Sequence, residues 1–208
     1  MNKLQGKVPI ELGQCMALQQ LHLQHNQFSD TIPKSIYQLK ELTGLFLNDN
    51  QFIGTIDSAV GNLTKLKHLR YSKNHLTQAI PISIGLLKNL EHLFIRSNQI
   101  SGPIPPEIGE LSRLTKLFLD NNNLTGKIPS TLGNLDNLAY LRLENNGLSG
   151  TLPTALGQLN NILQIKLSNN SLSGNFPATY CKFSKIDHSF NGNPKLIDNG
   201  NLKKFCAQ

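Results

Sequence analysis

The sequence predicts an α/β repeat solenoid, mainly β, whose coils are 24 residues long. Three observations carry this prediction. Asn2, Asn26, Asn50, Asn74, Asn98, Asn122, Asn146 and Asn170 recur at a constant spacing of 24 residues. Apolar residues stand at fixed offsets before them: Leu90, Leu93 and Ile95 before Asn98, Leu114, Leu117 and Leu119 before Asn122, and Leu138, Leu141 and Leu143 before Asn146. The 36 Leu and 24 Asn together make up more than a quarter of the 208 residues, while Trp is absent. A core built on a few large aromatics is thereby excluded, and a constant period means that stacked units bury one continuous core.

Each L-x-L segment predicts a short strand with its apolar pair inward and the intervening residues outward. Stacked coils pair these strands into one long parallel sheet. The Asn follows the strand, where the chain turns inward. A buried turn leaves backbone N–H and C=O groups without partners, and an Asn amide serves both kinds. Asn26, Asn50, Asn74, Asn98, Asn122, Asn146 and Asn170 are therefore expected to form a structural ladder.

The second half of each coil repeats as well. Gly102, Ile104 and Pro105 read G-x-I-P, matched by Gly126, Ile128, Pro129 and by Gly150, Leu152, Pro153. Ile108-Gly109, Leu132-Gly133 and Leu156-Gly157 follow. Pro fixes φ and removes a donor, so this half is expected to hold turns, 3-10 pieces and a short extended stretch. The convex side is then thin and the solenoid gently curved.

Composition bounds the rest. No apolar run approaches the ~18 residues of a membrane-spanning helix. With 38% hydrophobic and 16% charged residues the chain is too apolar for disorder. Three Cys are too few for a disulfide-built scaffold. The net charge of +7 points to partners with acidic surface. The N-terminal MNKLQGKVPIELG has neither an apolar core nor a cleavage site of a signal peptide.

The consensus L-x-x-L-x-L-x-x-N-x-L-S-G-x-I-P-x-x-L-G-x-L resembles the plant-type leucine-rich repeat, as in polygalacturonase-inhibiting proteins and plant receptor-kinase ectodomains. The resemblance runs from Asn2 to about Asn193. It implies a right-handed leucine-rich-repeat superhelix with a parallel concave sheet, an added convex-side strand, an extracellular or cell-wall setting, and protein or peptide binding on the concave face.

Departures mark the ends. Asn2, Leu4, Gly6, Val8 and Pro9 are a second half without its strand, and the family's cysteine-paired N-terminal cap is missing. A fragment, or a chain started at an artificial Met1, is expected. At the other end the spacing shortens to 21, with Ile186, His188 and Asn191. Phe190 to Leu196 is similar to the family's closing G-N-P-x-L motif, although Ile197 stands where a Cys usually follows. The expected division is residues 1–180 for the solenoid and 181–208 for the C-terminal coil and cap. Asp30 and Gln78 replace the usual Gly, Asp57 the Pro, and Tyr37 the Gly after Ile36; these read as drift that puts local turn geometry in doubt.

Cys15 occupies the position of Leu39, Leu63 and Leu87, which predicts a buried free thiol. Cys181 and Cys206 flank the closing motif and are expected to be paired, stapling the cap. Asn62-Leu63-Thr64, Asn123-Leu124-Thr125 and Asn169-Asn170-Ser171 are N-glycosylation sequons. The side chains of Asn62 and Asn123 are expected to point outward.

Framework residues cannot encode a partner, so the outward columns must. The middle column reads His22, Phe46, Arg70, Phe94, Phe118, Arg142, Lys166, and the one before it Gln20, Gly44, His68, His92, Lys116, Tyr140, Gln164. The next reads Gln24, Asn48, Ser72, Arg96, Asp120, Glu144, Ser168. Phe46, Phe94, Phe118 and Tyr140 are expected to face solvent, and together with His68, Arg70, His92, Arg96, Lys116 and Arg142 they are the expected partner contacts, since aromatics beside Arg are the residue types of interface hot spots. The interspersed Asp49, Glu91, Asp120 and Glu144 argue against a polyanion groove, so nucleic acid is not expected. His68 and His92 are neighbours among cations, which favours their neutral form. They lack a third ligand, so no metal is expected. No catalytic motif and no cofactor signature is present.

The sequence thus predicts a non-enzymatic protein- or peptide-binding module. It is expected to be an inhibitor of a cell-wall-degrading hydrolase or a receptor ectodomain fragment. The alternatives are a cytoplasmic interaction scaffold, and an ice- or surface-binding repeat protein, which the irregular charged columns oppose.

Overall fold

The computed structural model describes residues 2–207; Met1, read as an artificial start, and Gln208 lie outside the described residues. Two parallel sheets run along the chain. One has eight strands of three residues, Gln20–His22, Gly44–Phe46, His68–Arg70, His92–Phe94, Lys116–Phe118, Tyr140–Arg142, Gln164–Lys166 and Asp187–Ser189, paired in sequence order. The other has nine strands, from Gln5–Gly6 and Gln27–Thr31 through Asn123–Lys127 to Lys195–Leu196. Between the two sheets each coil makes one short 3-10 helix, such as Pro106–Glu110, opened by Pro105 in extended conformation. Leu202–Phe205 is the one α-helix among the described residues, and none is long and apolar enough to cross a membrane.

The in-register pairing puts like on like. Leu45, Leu69, Leu93, Leu117, Leu141 and Ile165 follow one another across the first sheet, all fully buried. Glycine is required where 3-10 helices stack: a Cβ on Gly109 would stand 2.4 Å from the Thr131 carbonyl oxygen.

The Asn ladder joins the coils. Asn98 Nδ2 donates to the carbonyls of Ile95 in its own coil (2.9 Å) and Tyr71 in the preceding one (3.0 Å), while its Oδ1 accepts from the Leu76 N–H (3.1 Å). The same pattern holds at Asn50, Asn74, Asn122, Asn146 and Asn170, and at Asn26 the acceptor bond comes from the Leu4 N–H. The last rung is Asn193, not Asn191. Asn193 is fully buried, donates to Leu167 and Phe190 and accepts from the Leu172 N–H. His188 takes the inward register against Ile165 and Phe190 the next inward position, so the amide two residues after Asn191 reaches the ladder.

Cys15 is free and exposed, contrary to the expected buried thiol. Leu39, Leu63 and Leu87 are buried because coils stack on both sides, whereas Cys15 lies in the first described coil, covered from one side only. Cys181 and Cys206 are bonded, with Cα atoms 5.5 Å apart. The bond ties Leu202–Phe205 to the 3-10 segment Ala178–Lys185 over a cluster of Phe176, Tyr180, Phe183 and Phe190.

The four departures keep the coil geometry. Asp30 (φ 72°) and Gln78 (φ 65°) adopt the left-handed conformation of Gly54 and Gly102. Asp30 is held by Lys7 at 2.6 Å and accepts from the Thr31 N–H. Gln78 has no such support among the described residues. Left-handed backbone costs an L-residue about 1–2 kcal/mol, partly offset by the freedom glycine adds to the unfolded chain. Gln78→Gly is expected to stabilise by about 0.5–1 kcal/mol in chemical denaturation; a loss of stability would show that the Gln side chain packs.

Asp57 caps the next 3-10 helix by accepting from the Ala59 N–H (2.8 Å) and pairs with Lys34 (2.9 Å). Tyr37 replaces a glycine and Tyr71 a leucine, and the two compensate: both are buried and their hydroxyls lie 3.2 Å apart. Burial pushes Tyr37 up to about 12 and Tyr71 well above its usual value, because a phenolate would be stranded in the core. The folded state therefore favours the neutral phenols. Their contribution is whole below about pH 10 and is lost as pH rises toward 12, which for Tyr37 amounts to roughly 2–3 kcal/mol. Unfolding free energy is expected to fall steeply above about pH 10, and the fall should flatten in a Tyr37→Phe/Tyr71→Phe double variant. Equal slopes would contradict the assignment.

Candidate functional site

The outward face of the eight-stranded sheet carries all ten predicted contact residues. Alternation along each strand buries the leucine and turns its two neighbours outward; Lys116, Leu117 and Phe118 are half-buried, buried and half-buried. Pairing then places His22, Phe46, Arg70, Phe94, Phe118, Arg142 and Lys166 on successive rungs.

These side chains form an almost continuous stack. His22 lies on Phe46 with ring centroids 4.4 Å apart, and Phe94 on Phe118 at 4.5 Å, both with nearly parallel ring planes. The Arg70 guanidinium fills the gap, 5.3 Å from the Phe46 ring centre and 5.1 Å from that of Phe94. Arg142 covers Phe118 at 4.8 Å. In the neighbouring column His68 and His92 are 4.6 Å apart, and Lys116 lies 5.3 Å from the Tyr140 ring centre. The aromatics are consequently half-buried rather than fully solvent-facing. Stacked rings and guanidinium groups hold one another in place, so the face is preorganised.

Burial lowers the affinity of both histidines for protons, with His92 pushed down to about 4; for His92 the His68, Lys116 and Arg70 charges add to it. Burial thus leads, and the neighbouring cations predicted from the sequence reinforce it, Arg70 and Lys67 at His68 and Lys116 and Arg70 at His92. The unprotonated rings extend the aromatic surface at neutral pH.

Beside the stack lies a depression lined by Asn48, Asp49, Arg70, Ser72, Lys73, Phe94 and Arg96. Lys73 pairs with Asp49 at 3.0 Å. The Arg96 side chain makes no hydrogen bond or ion pair among the described residues, and the buried Ser72 hydroxyl and Arg70 Nε have no hydrogen-bond partner there either. The depression thus offers an anionic or carbonyl group two guanidinium groups and a hydroxyl. One coil further on Asp120 is 3% exposed, and two coils on Glu144 is half-buried, its carboxyl pushed up chiefly by burial. At the far end Gln164 links Arg142 to Asp187, which also pairs with Lys166. Sequence reasoning left Asp187 out because the repeat spacing shortens there; its signal is the register of His188 against Ile165.

Asn62, Asn123 and Asn169 are all exposed. The Asn169 amide donates to Asn145 (2.8 Å) and that of Asn145 to Asn121 (2.9 Å), a second, exposed row of amides beside the buried ladder.

The comparisons agree with this architecture. A family model described as a leucine-rich repeat region matches residues 54–190, and one for a single leucine-rich repeat matches residues 17–39. No curated protein matches the chain. Among solved structures it is similar to the plant peptide hormone receptor RGFR1, in complex with RGF2, at 40% identity over 89% of this chain, with a TM-score of 0.87. The ectodomain of the membrane receptor kinase GASSHO1/SCHENGEN3 from Arabidopsis thaliana, in complex with CASPARIAN STRIP INTEGRITY FACTOR 2, is 35% identical over 90%, with a TM-score of 0.83. The Arabidopsis receptor kinase HAESA, in complex with the peptide hormone IDA and the co-receptor SERK1, is 33% identical over 92%, with a TM-score of 0.81. The chain spans 30%, 23% and 36% of the lengths of these three.

Proposed function

Because this chain belongs to the plant-type leucine-rich-repeat family, we propose that the outward face of its eight-stranded sheet binds an extended peptide or protein segment outside the cell. The observation that carries this reading is the preorganised stack of Phe46, Arg70, Phe94, Phe118 and Arg142 beside the depression at Arg96. Apolar side chains of a partner cover the half-buried rings, and a carboxylate or carbonyl group enters between Arg70 and Arg96. Such a face does not need to change shape on binding, so little ordering entropy opposes association.

Residues 1–180 supply the contact residues of the binding surface, and residues 181–208 add its last strand and close the end of the stack. The Cys181–Cys206 bond favours an oxidising, extracellular compartment. The chain's similarity to a plant peptide hormone receptor, to a receptor-kinase ectodomain and to a receptor kinase bound to a peptide hormone favours a receptor-type role over inhibition of a wall-degrading hydrolase. Asn62, Asn123 and Asn169 are the glycosylation sites of this extracellular form.

The test starts from a random peptide library displayed on phage and selected on the immobilised protein. Selected peptides are expected to be rich in aromatic and acidic residues. Phe94→Ala and Arg96→Ala, each melting close to wild type, should weaken a selected peptide by about 2 kcal/mol or more. Raising salt should slow association. Peptides that bind both variants like wild type while losing affinity to a substitution on the 3-10 side would overturn the reading.

A further inference from the structure

On the 3-10 side exposed apolar residues open the first and fourth helices, Ile10 and Ile82, and beside Ile82 a second one interrupts a polar row. The last residues of the seven five-residue 3-10 helices are Gln14, Gln38, Asn62, Leu86, Glu110, Asn134 and Gln158. Leu86 is the single apolar member and is 56% exposed; Ile82, which opens the same helix, is 69% exposed. Together with Gly85, Glu107 and Glu110 they line a shallow, open hollow. Two neighbouring aliphatic side chains exposed in this way form a small apolar surface that a covering group would remove from water.

The residue one coil before Leu86, at the same place in the repeat, is Asn62 of the sequon Asn62-Leu63-Thr64. Adjacent coils are about 4.8 Å apart. Leu86 leans toward that coil: a methyl group placed on Gly61 would stand 3.0 Å from Leu86 Cδ1. Asn62 and Thr64 are both exposed, and the Asn62 amide makes no hydrogen bond among the described residues. At Asn169, by contrast, the amide is engaged with Asn145.

We infer that an N-linked glycan on Asn62 covers the Ile82–Leu86 patch. This rests on the extracellular reading above, since the chain must pass through the glycosylating compartment. In the attachment a bond forms between the Asn62 amide nitrogen and C1 of the oligosaccharide's first N-acetylglucosamine. The C1–O bond to the diphosphate of a polyprenyl-linked donor breaks, the diphosphate departs, and the amide loses one proton. Anchored one rung away, the first sugar lays its apolar ring face and acetyl methyl on Leu86 and Ile82, while its hydroxyls face water near Glu107 and Glu110.

The chain is secreted from a eukaryotic host behind a foreign leader, so that sequon use is read independently of where the native protein resides. Peptide mapping is expected to find Asn62 occupied. Thr64→Ala, which removes the sequon and leaves Asn62 in place, should raise the binding of a hydrophobic-surface dye by about twofold or more. Adding Leu86→Gln to Thr64→Ala should return it to the wild-type level. Nuclear Overhauser contacts should join the acetyl methyl to the Leu86 methyls. An unoccupied Asn62 beside an occupied Asn123 would overturn the inference, as would dye binding indifferent to Thr64→Ala. A dimer that persists in the glycosylated protein and disappears in Leu86→Gln would assign the patch to a second copy instead. Loss of peptide binding in Phe94→Ala, or its absence, bears only on the sheet face and leaves this test untouched.

Discussion

Asn122→Ala is expected to lower the unfolding free energy by about 3 kcal/mol or more, as much as half the stability of a marginal domain. The Asn122 Oδ1 takes the N–H of Ile100 at 3.1 Å, and Ile100 is buried, so truncation orphans a donor that water does not reach. Its Nδ2 donates to Ile95 and Leu119, both at 3.1 Å. Those two carbonyls are shared with Asn98 and Asn146, so they are weakened rather than abandoned. The orphaned donor costs roughly 1–3 kcal/mol and each lost carbonyl contact roughly 0.5–1.5 kcal/mol. Since each coil is stabilised by its neighbours, the damage lowers cooperativity across the stack as well. Urea denaturation gives the measurement. Asn123→Ala, at the adjacent exposed position, is the control and should change stability by less than about 0.5 kcal/mol. If Asn122→Ala matches that control, the ladder is a packing feature and not a hydrogen-bond one.

Replacing Cys181 and Cys206 together with Ser should cost about 3.5 kcal/mol, the loop-closure entropy of a loop of this length in the unfolded chain. The helix Leu202–Phe205 is a single turn and has no stability alone. It stays docked because Leu202 is buried, Phe205 meets Phe176 at 5.5 Å, and Cys206 is bonded to the adjoining segment. Without the bond, amide hydrogen exchange should accelerate first at residues 195–207 and reach the Gln164–Lys166 rung last. An unchanged midpoint and unchanged exchange would mean that aromatic packing alone closes the end.

The repeat made most of the framework legible before any coordinates. The spacing from Asn26 to Asn170, the buried Leu pairs and the Pro-Gly halves are local patterns, and each corresponds to one physical demand: a satisfied turn, an inward face, or a close approach of backbone. The pairing of Cys181 with Cys206 was legible because both flank a closing motif. Legibility failed where the period fails. Asn191 lies at a plausible spacing, yet Asn193 reaches the ladder, because register in the last coil is set by burying Phe190 and not by counting residues. Cys15 has a framework position without a framework environment.

The sequence by itself determined the coil, its repeat and the ten residues on the outward face, since a period of two along a strand decides which side chains point out. The tertiary structure alone decided what those side chains do to one another. Arg70 lies between Phe46 and Phe94, which are 24 residues away on either side, and Tyr37 meets Tyr71 across the core. Such contacts exist only once coils are stacked at strand spacing, where the choice of side-chain rotamers on one rung depends on the residues of the next.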